Sequence, residues 1–253
     1  MPTLERDGTH LYYEVHGSGP AILLTHGFSA TSQMWAPQIE ALSREHTLVL
    51  WDLCGHGRSG APEQTLRYRE APVVADLEAL LDQVGADRAV VGGLSLGGYL
   101  SLAFALDHPN RVAGLLIIDT GPGFKRDDKR EEWNAMMLEH ADAIATRGFD
   151  ALLGNGDPRL GSHSATRGLE LAARHMLVQH SPRVIEGLPR LDVPALVVVG
   201  AEDTSFRAAA DYMAQELPRA TKAVIEDAGH TVNLDQPEVF DRVVLDFLES
   251  HGL

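Results

Sequence analysis

Short apolar runs alternate with stretches whose apolar residues recur every three or four positions through most of the chain. The runs at residues 10–16 (HLYYEVH), 21–25 (AILLT), 47–51 (TLVLW), 89–92 (AVVG), 112–119 (VAGLLIID), 195–200 (ALVVVG) and 222–226 (KAVIE) are rich in Val, Ile and Leu and predict strands. Several are apolar throughout, as expected of strands covered on both faces. Between them, Val73, Val74, Leu77, Leu80, Leu81 and Val84 form a helical stripe after Pro72 that stops at Gly85. Val239, Phe240, Val243, Val244, Phe247 and Leu248 form another after Pro237, and a third helix is predicted over 206–217 before Pro218. Strands alternating with helices predict an α/β class with a parallel sheet between helical layers.

Residues 121–189 break this rhythm. A charged run, KRDDKREE at 125–132, leads into helix-like text holding Trp133, Met136, Met137 and Ile144. A glycine-rich stretch at 148–161 follows, then a second helix predicted from 165 to about 180, with no strand pattern anywhere. Residues 1–120 and 190–253 are therefore expected to form the core, and 121–189 a helical lid over the carboxyl edge of the sheet. The charged run reads as a solvated helix face.

Composition narrows the function. Thirty-six acidic against 21 basic side chains give a net charge of −15, which argues against a nucleic-acid partner, since phosphate backbones need clustered Lys and Arg. The single cysteine, Cys54, cannot form an internal disulfide and fits a reducing compartment. The first twenty residues lack the apolar core of a signal peptide, and no run approaches the ~20 apolar residues of a membrane span. A cytoplasmic chain without a membrane span is expected. Oligomeric state leaves no mark in the sequence.

The chemistry concentrates at 92–98, GGLSLGG, directly after a predicted strand and before a helical run. Within it Gly93-Leu94-Ser95-Leu96-Gly97 is G-x-S-x-G, a sharp strand-to-helix turn that lifts a serine hydroxyl above the sheet. A serine is a weak nucleophile without a base and a carboxylate to orient that base. His230, after the last predicted strand, is the candidate base, and Asp203, after the strand at 195–200, the candidate acid. Glu202 and Asp119 also stand at strand ends and remain rivals for the acid. The free amide of Leu96, at a helix N-terminus, and that of Phe28, in the loop after the strand at 21–25, are the candidate oxyanion donors. His26 is read as holding that loop by hydrogen bonds. No H-E-x-x-H or paired-cysteine spacing supplies a metal site, so neither metal nor cofactor is expected.

At HGF (26–28), DLCGHGRS (52–59), GLSLGG (93–98), GAED (200–203) and AGH (228–230) the chain resembles the alpha/beta-hydrolase superfamily over essentially its whole length, and within it a serine esterase-like branch with a short helical lid. The resemblance implies a mostly parallel eight-stranded sheet with helices on both faces. It also implies a structural loop at 52–59, in which His56 and Arg58 brace the backbone and Cys54 is inert. Serine at 95 departs from the branches whose nucleophile is aspartate, the haloalkane dehalogenases and epoxide hydrolases. Leu96 departs from the methionine common there in cofactor-free haloperoxidases and ring-cleavage hydrolases. The menaquinone-pathway synthase branch, which resembles this chain around GAEDTSFRA and AGH, holds a dicarboxylate with an arginine four positions after the serine; here that position is Tyr99. The expected function is a serine carboxylic-ester hydrolase acting on a small-molecule monoester or lactone, with Trp133, Met136 and Met137 lining an acyl pocket. A C–C bond hydrolase or lyase with the same triad, and a small-molecule receptor without turnover, are the competing readings.

Overall fold

In the computed structural model, which describes residues 2–152, 161–163 and 165–253, eight strands form one sheet in the order β1-β2-β4-β3-β5-β6-β7-β8. They are β1 (Thr3–Arg6), β2 (Thr9–His16), β3 (Ala21–Thr25), β4 (Thr47–Trp51), β5 (Ala89–Leu94), β6 (Val112–Ile118), β7 (Ala195–Gly200) and β8 (Ala220–Ile225). The pairs β1/β2 and β2/β4 are antiparallel and all others parallel, in registers such as Thr25 opposite Gly93 and Leu94 opposite Ile118. Nine helices are described: α1 (Ile39–Leu42), α2 (Glu70–Gln83), α3 (Leu96–Asp107), α4 (Asp127–Arg147), α5 (Thr166–His175), α6 (Arg183–Gly187), α7 (Arg207–Glu216), α8 (Val232–Asp235) and α9 (Pro237–His251).

The uninterrupted apolar runs feed two cores because successive side chains leave opposite faces of a strand. Leu23, Val49, Val91, Ile117 and Val197 meet Leu77 and Leu81 of α2 and Leu100 and Phe104 of α3 on one face. Their neighbours Ile22, Leu24, Leu48, Leu50, Val90, Leu116 and Val198 meet Trp35 and the Phe240, Val244 and Phe247 stripe of α9 on the other. The sheet is thus immobilised from both sides, and its carboxyl edge supplies a fixed row of loop starts.

The departures from the sequence pattern have local causes. β1 escapes the pattern because it is a four-residue edge strand, TLER, with no apolar run. β6 stops at Ile118, one residue early, because Asp119 turns into the left-handed region at φ 44°. The second helix of the 121–189 segment ends at His175, well short of 180. There the Gln179 N–H is taken by Asn134 Oδ1 at 2.8 Å while Asn134 Nδ2 donates to the Gln179 carbonyl, so a side chain replaces the helical ladder. Residues 153–160 of the glycine-rich stretch lie outside the described residues. The charged run opens α4 and stays at the surface in pairs such as Lys129 with Glu132. Ala141 and Ile144 of α4 pack on Leu169 and Ala173 of α5, with Phe28 at the edge of the cluster. Among the described residues, no helix is long and apolar enough to cross a membrane.

Asp119 fastens the carboxyl edge. Fully buried just beyond β6, it accepts the Gly200 N–H on Oδ1 at 2.9 Å and the Val232 N–H on Oδ2 at 3.1 Å, while its own N–H donates to the Val198 carbonyl at 3.0 Å. One side chain thereby ties the end of β6 to the end of β7 and to the start of α8. Burial pushes its carboxyl up to about 7, against the opposite pull of the two amides and of His230. Replacing it by alanine strands two buried N–H groups, so Asp119→Ala should lower the unfolding free energy by about 2–4 kcal/mol. A urea midpoint indistinguishable from wild type would contradict the clasp.

Candidate active site

Ser95 sits between β5 and α3 with φ 54° and ψ −115°, a conformation that a side-chain-bearing residue holds only when its surroundings enforce it. They do so through three bonds. Its N–H donates to the Ile118 carbonyl at 2.9 Å, and its carbonyl accepts the Tyr99 N–H at 3.1 Å and the Thr120 hydroxyl at 2.7 Å. The flanking glycines are required by crowding rather than by φ. A Cβ at Gly93 or Gly97 would stand 2.4 or 2.2 Å from the Thr25 carbonyl oxygen, so β3 can approach the turn only if both side chains are absent.

His230, on the loop after β8, has Nδ1 2.8 Å from Oδ2 of Asp203, on the loop after β7. With the carboxylate accepting, Nδ1 carries the hydrogen and Nε2 is left with a lone pair. Burial pulls the His230 pKa down, but the hydrogen bond and charge of Asp203, helped by Asp119, outweigh it and set the net value above that of ordinary imidazole. The Phe206 ring stacks on the imidazole at 5.1 Å between centroids. Neither rival acid fits this place: Glu202 is exposed, and both oxygens of Asp119 are engaged by backbone amides.

The turn at 27–30 is closed by the Ala30 N–H on the Gly27 carbonyl at 3.2 Å, with Ser29 in the left-handed region at φ 57°. That carbonyl also accepts from His26 Nδ1 at 2.7 Å, while His26 Nε2 accepts the Leu53 N–H at 2.9 Å. In a trans peptide the N–H points away from the carbonyl, so fixing the Gly27 oxygen from behind also fixes the direction of the Phe28 N–H. His26 holds the loop as its position suggests. Neither the Phe28 nor the Leu96 N–H has an acceptor among the described residues, the latter because it opens α3.

Ser95, His230, Phe28 and Leu96 line one cavity of about 700 Å³. Tyr99, Thr120, Phe124, Trp133, Met137, His140, Gln179 and Phe206 also face it. Met136 does not: it is 52% exposed, because Trp133, Met137 and His140 share one face of α4 at helical spacing and Met136 falls outside that stripe. His140 and Gln179 carry no sequence signal, since both come from the segment without motifs. The 52–59 loop is braced as expected. Asp52 accepts the Ser32 N–H at 2.7 Å and the Arg58 N–H at 2.8 Å, Arg58 reaches Glu14 at 2.7 Å, and His56 Nδ1 lies 3.2 Å from the Cys54 carbonyl. Burial pushes the Cys54 thiol up to about 12, which keeps it protonated and inert. Among the described residues no group of three or more His, Cys, Asp or Glu is placed to hold a metal ion.

The profile of the alpha/beta hydrolase fold matches residues 20–156. The pimeloyl-[acyl-carrier protein] methyl ester esterase of Chromobacterium violaceum is 30% identical over 263 residues, covering 96% of this chain and all of its own. The solved structure of a thermophilic esterase from Thermogutta terrifontis superimposes with a TM-score of 0.80 at 28% identity over 98% of this chain and 97% of the other. That of an enol-lactonase from Burkholderia xenovorans LB400 gives 0.79 at 26% identity over 98% and 100%.

Three imidazoles lie beneath the 27–30 turn, His26 and His56 buried and His163 half-buried, and burial lowers the pKa of each. His26 is lowered to about 4 by burial, with the Asp52 charge opposing, His56 lies well below the ordinary value, and His163 is lowered by burial too. An unfolded chain protonates these rings near pH 6.5, so between there and about pH 4 it binds more protons than the folded chain, and stability falls as pH falls. His26 alone should account for a loss of ~3 kcal/mol across that window. The raised carboxyl of Asp119 acts in the opposite sense over the same range, so urea melts at pH 7.5 and pH 5 are compared between wild type and His26→Gln: the change in midpoint attributable to His26 should vanish in the variant, and an identical pH dependence of the two proteins would contradict it.

Proposed function

The chain belongs to the alpha/beta hydrolase family, and on that premise we propose that it is a serine carboxylic-ester hydrolase working through an acyl-serine intermediate. His230 Nε2 takes the proton of the Ser95 hydroxyl as the oxygen attacks the ester carbonyl. The negative charge that develops on the carbonyl oxygen meets the N–H groups of Phe28 and Leu96, and Asp203 fixes the tautomer of the imidazole and its charge as imidazolium. Collapse of the tetrahedral intermediate breaks the bond to the alcohol, which leaves with the proton from His230. Water, deprotonated by the same nitrogen, then attacks the acyl-serine and releases the acid. The observation that carries the reading is the 2.8 Å bond from Asp203 to His230, whose ring lines a cavity shared with Ser95 and two unpartnered amides.

The substrate we infer is an uncharged monoester or lactone. The described residues lining the cavity include no Lys, Arg, Asp or Glu. Tyr99 turns its hydroxyl away to Glu70 at 2.8 Å, and the cation behind it, Arg183, is taken up by Glu70 and Asp107, each at 2.7 Å. An anionic chain entering this site would lose water without gaining a countercharge. The 121–189 segment serves as the lid, with Trp133, Met137 and His140 of α4 as its apolar underside. The names of the relatives, an esterase and an enol-lactonase, support both leaving-group geometries.

A series of 4-nitrophenyl esters from acetate to octanoate tests the assignment. Ser95→Ala and His230→Ala should each lower kcat by about 10⁴-fold or more, and Asp203→Asn by a comparable factor, with the fold retained. Turnover that survives Ser95→Ala would remove the serine from the mechanism. A second comparison addresses charge: an ester whose acyl chain ends in a carboxylate should show kcat/KM at least about tenfold below its uncharged counterpart of equal length, a difference of ~1.4 kcal/mol. Equal values would exclude the neutral-pocket reading.

A further inference from the structure

The 27–30 turn is gripped at both of its outer carbonyls. His26, from the core, holds the Gly27 oxygen. The Ser29 oxygen is held by His163, whose Nε2 lies 3.0 Å away, while Nδ1 of the same ring accepts the Gly57 N–H at 3.0 Å. An amide N–H can only donate, so Nδ1 carries the lone pair, Nε2 carries the hydrogen, and the Ser29 carbonyl is the acceptor. His163 belongs to the 121–189 segment, and its ring stands edge-on to His56 at 5.7 Å, which in turn lies 5.0 Å from His26. The same segment supplies His140, whose ring meets Phe28 at 5.6 Å opposite His56 at 5.7 Å.

We propose that His163 is a positioning residue for ester hydrolysis: from the inserted segment it clamps the Ser29 carbonyl to the 52–59 loop, and so keeps the Phe28 N–H aimed at the developing oxyanion. This rests on the hydrolase reading above. Ser29 is a non-glycine residue at φ 57°, and such a residue relaxes toward the β or right-handed region unless its neighbours are tied. One peptide group upstream of Ser29 lies the plane that His26 orients, and rotation at Ser29 tilts the closing Ala30 N–H off the Gly27 oxygen. With His163 in place both ends of the turn are fixed. Without it only His26 holds the turn, at one carbonyl, the plane is free to tilt about that single bond, and an oxyanion donor displaced by about 1 Å loses most of its value. The inserted segment is then part of the oxyanion apparatus, and its docking is a condition of turnover rather than of substrate capture alone.

The test compares wild type with His163→Leu, His163→Gln and His163→Asn on one 4-nitrophenyl ester. It also measures inhibition by an alkyl trifluoromethyl ketone, whose adduct with Ser95 places an oxyanion between Phe28 and Leu96. His163→Leu should lower kcat about tenfold to a hundredfold with KM within about twofold, and should weaken the trifluoromethyl ketone by a matching factor. Glutamine, whose amide N–H replaces the Nε2 donor, should recover most of the loss, and asparagine, which reaches only the Nδ1 position, little of it. A merely structural histidine would shift the urea midpoint and leave kcat of the folded fraction and the inhibitor affinity unchanged. That result, a loss confined to KM, or equal activity of the glutamine and asparagine variants would overturn the proposal. Should His163→Leu fail to fold, the glutamine and asparagine pair decides alone. Ser95→Ala separates the two levels: activity that survives it removes the hydrolase reading itself, whereas activity lost there but untouched by His163→Leu removes only the role of His163.

Discussion

A carboxylate and an imidazole carried by consecutive strand ends meet with the acid buried and the ring open to the cavity, and the 2.8 Å contact of Asp203 with His230 constrains everything around it. A buried carboxylate without a partner is expensive, so the loop after β7 is stable in its observed path only while the loop after β8 brings the imidazole to it. Asp119 sits behind both and secures the meeting from the backbone, holding Gly200 at the root of one loop and Val232 just beyond the other. Two carboxylates so close have divided the work. Asp203 bonds the imidazole, and Asp119 bonds amides and contributes only its field to His230.

Backbone strain is concentrated where the sheet hands over to these loops. Of the non-glycine residues with positive φ among those described, Ser29, Ser95 and Asp119 follow β3, β5 and β6, each within a few residues of the carboxyl edge. A sheet packed on both faces does not yield to such strain, so the loops absorb it and present their polar groups in fixed directions. The crowding of Gly93 and Gly97 against the Thr25 carbonyl is the same constraint from below, since it lets β3 stand close enough for its turn to face the serine.

How far the sequence discloses this depends on whether a feature has a period or a local motif. The parallel strands announce themselves as apolar runs, and G-x-S-x-G with its strand and helix context locates Ser95, as strand ends locate His230 and Asp203. The choice between Asp203 and Asp119 is not legible, because it depends on which carboxylate has spare oxygens after the backbone amides are served. β1 is silent because an edge strand needs no core-facing run. Met136 is misread because both methionines look alike until the phase of α4 is fixed by Trp133 and His140. His163 leaves no trace, since its partners, Ser29 and Gly57, are backbone groups more than a hundred residues away.

The placement of charge gives these parts a common logic. Burial shifts the imidazoles beneath the 27–30 turn toward the neutral form, and His26 and His163, with partners on both nitrogens, are each committed to a single tautomer. They act as rigid donors and acceptors and bring no positive charge to the cavity floor. His230, by contrast, is set above the ordinary imidazole value, and it is there that the proposed mechanism needs a cation to appear and vanish. In the proposed reaction a negative charge forming at the attacked carbonyl meets fixed amide dipoles, which need no reorganisation. A cation in the same place would also bind anionic ground states. Fixed dipoles aimed at one point favour charge most strongly where it develops, which suits the neutral substrate proposed above.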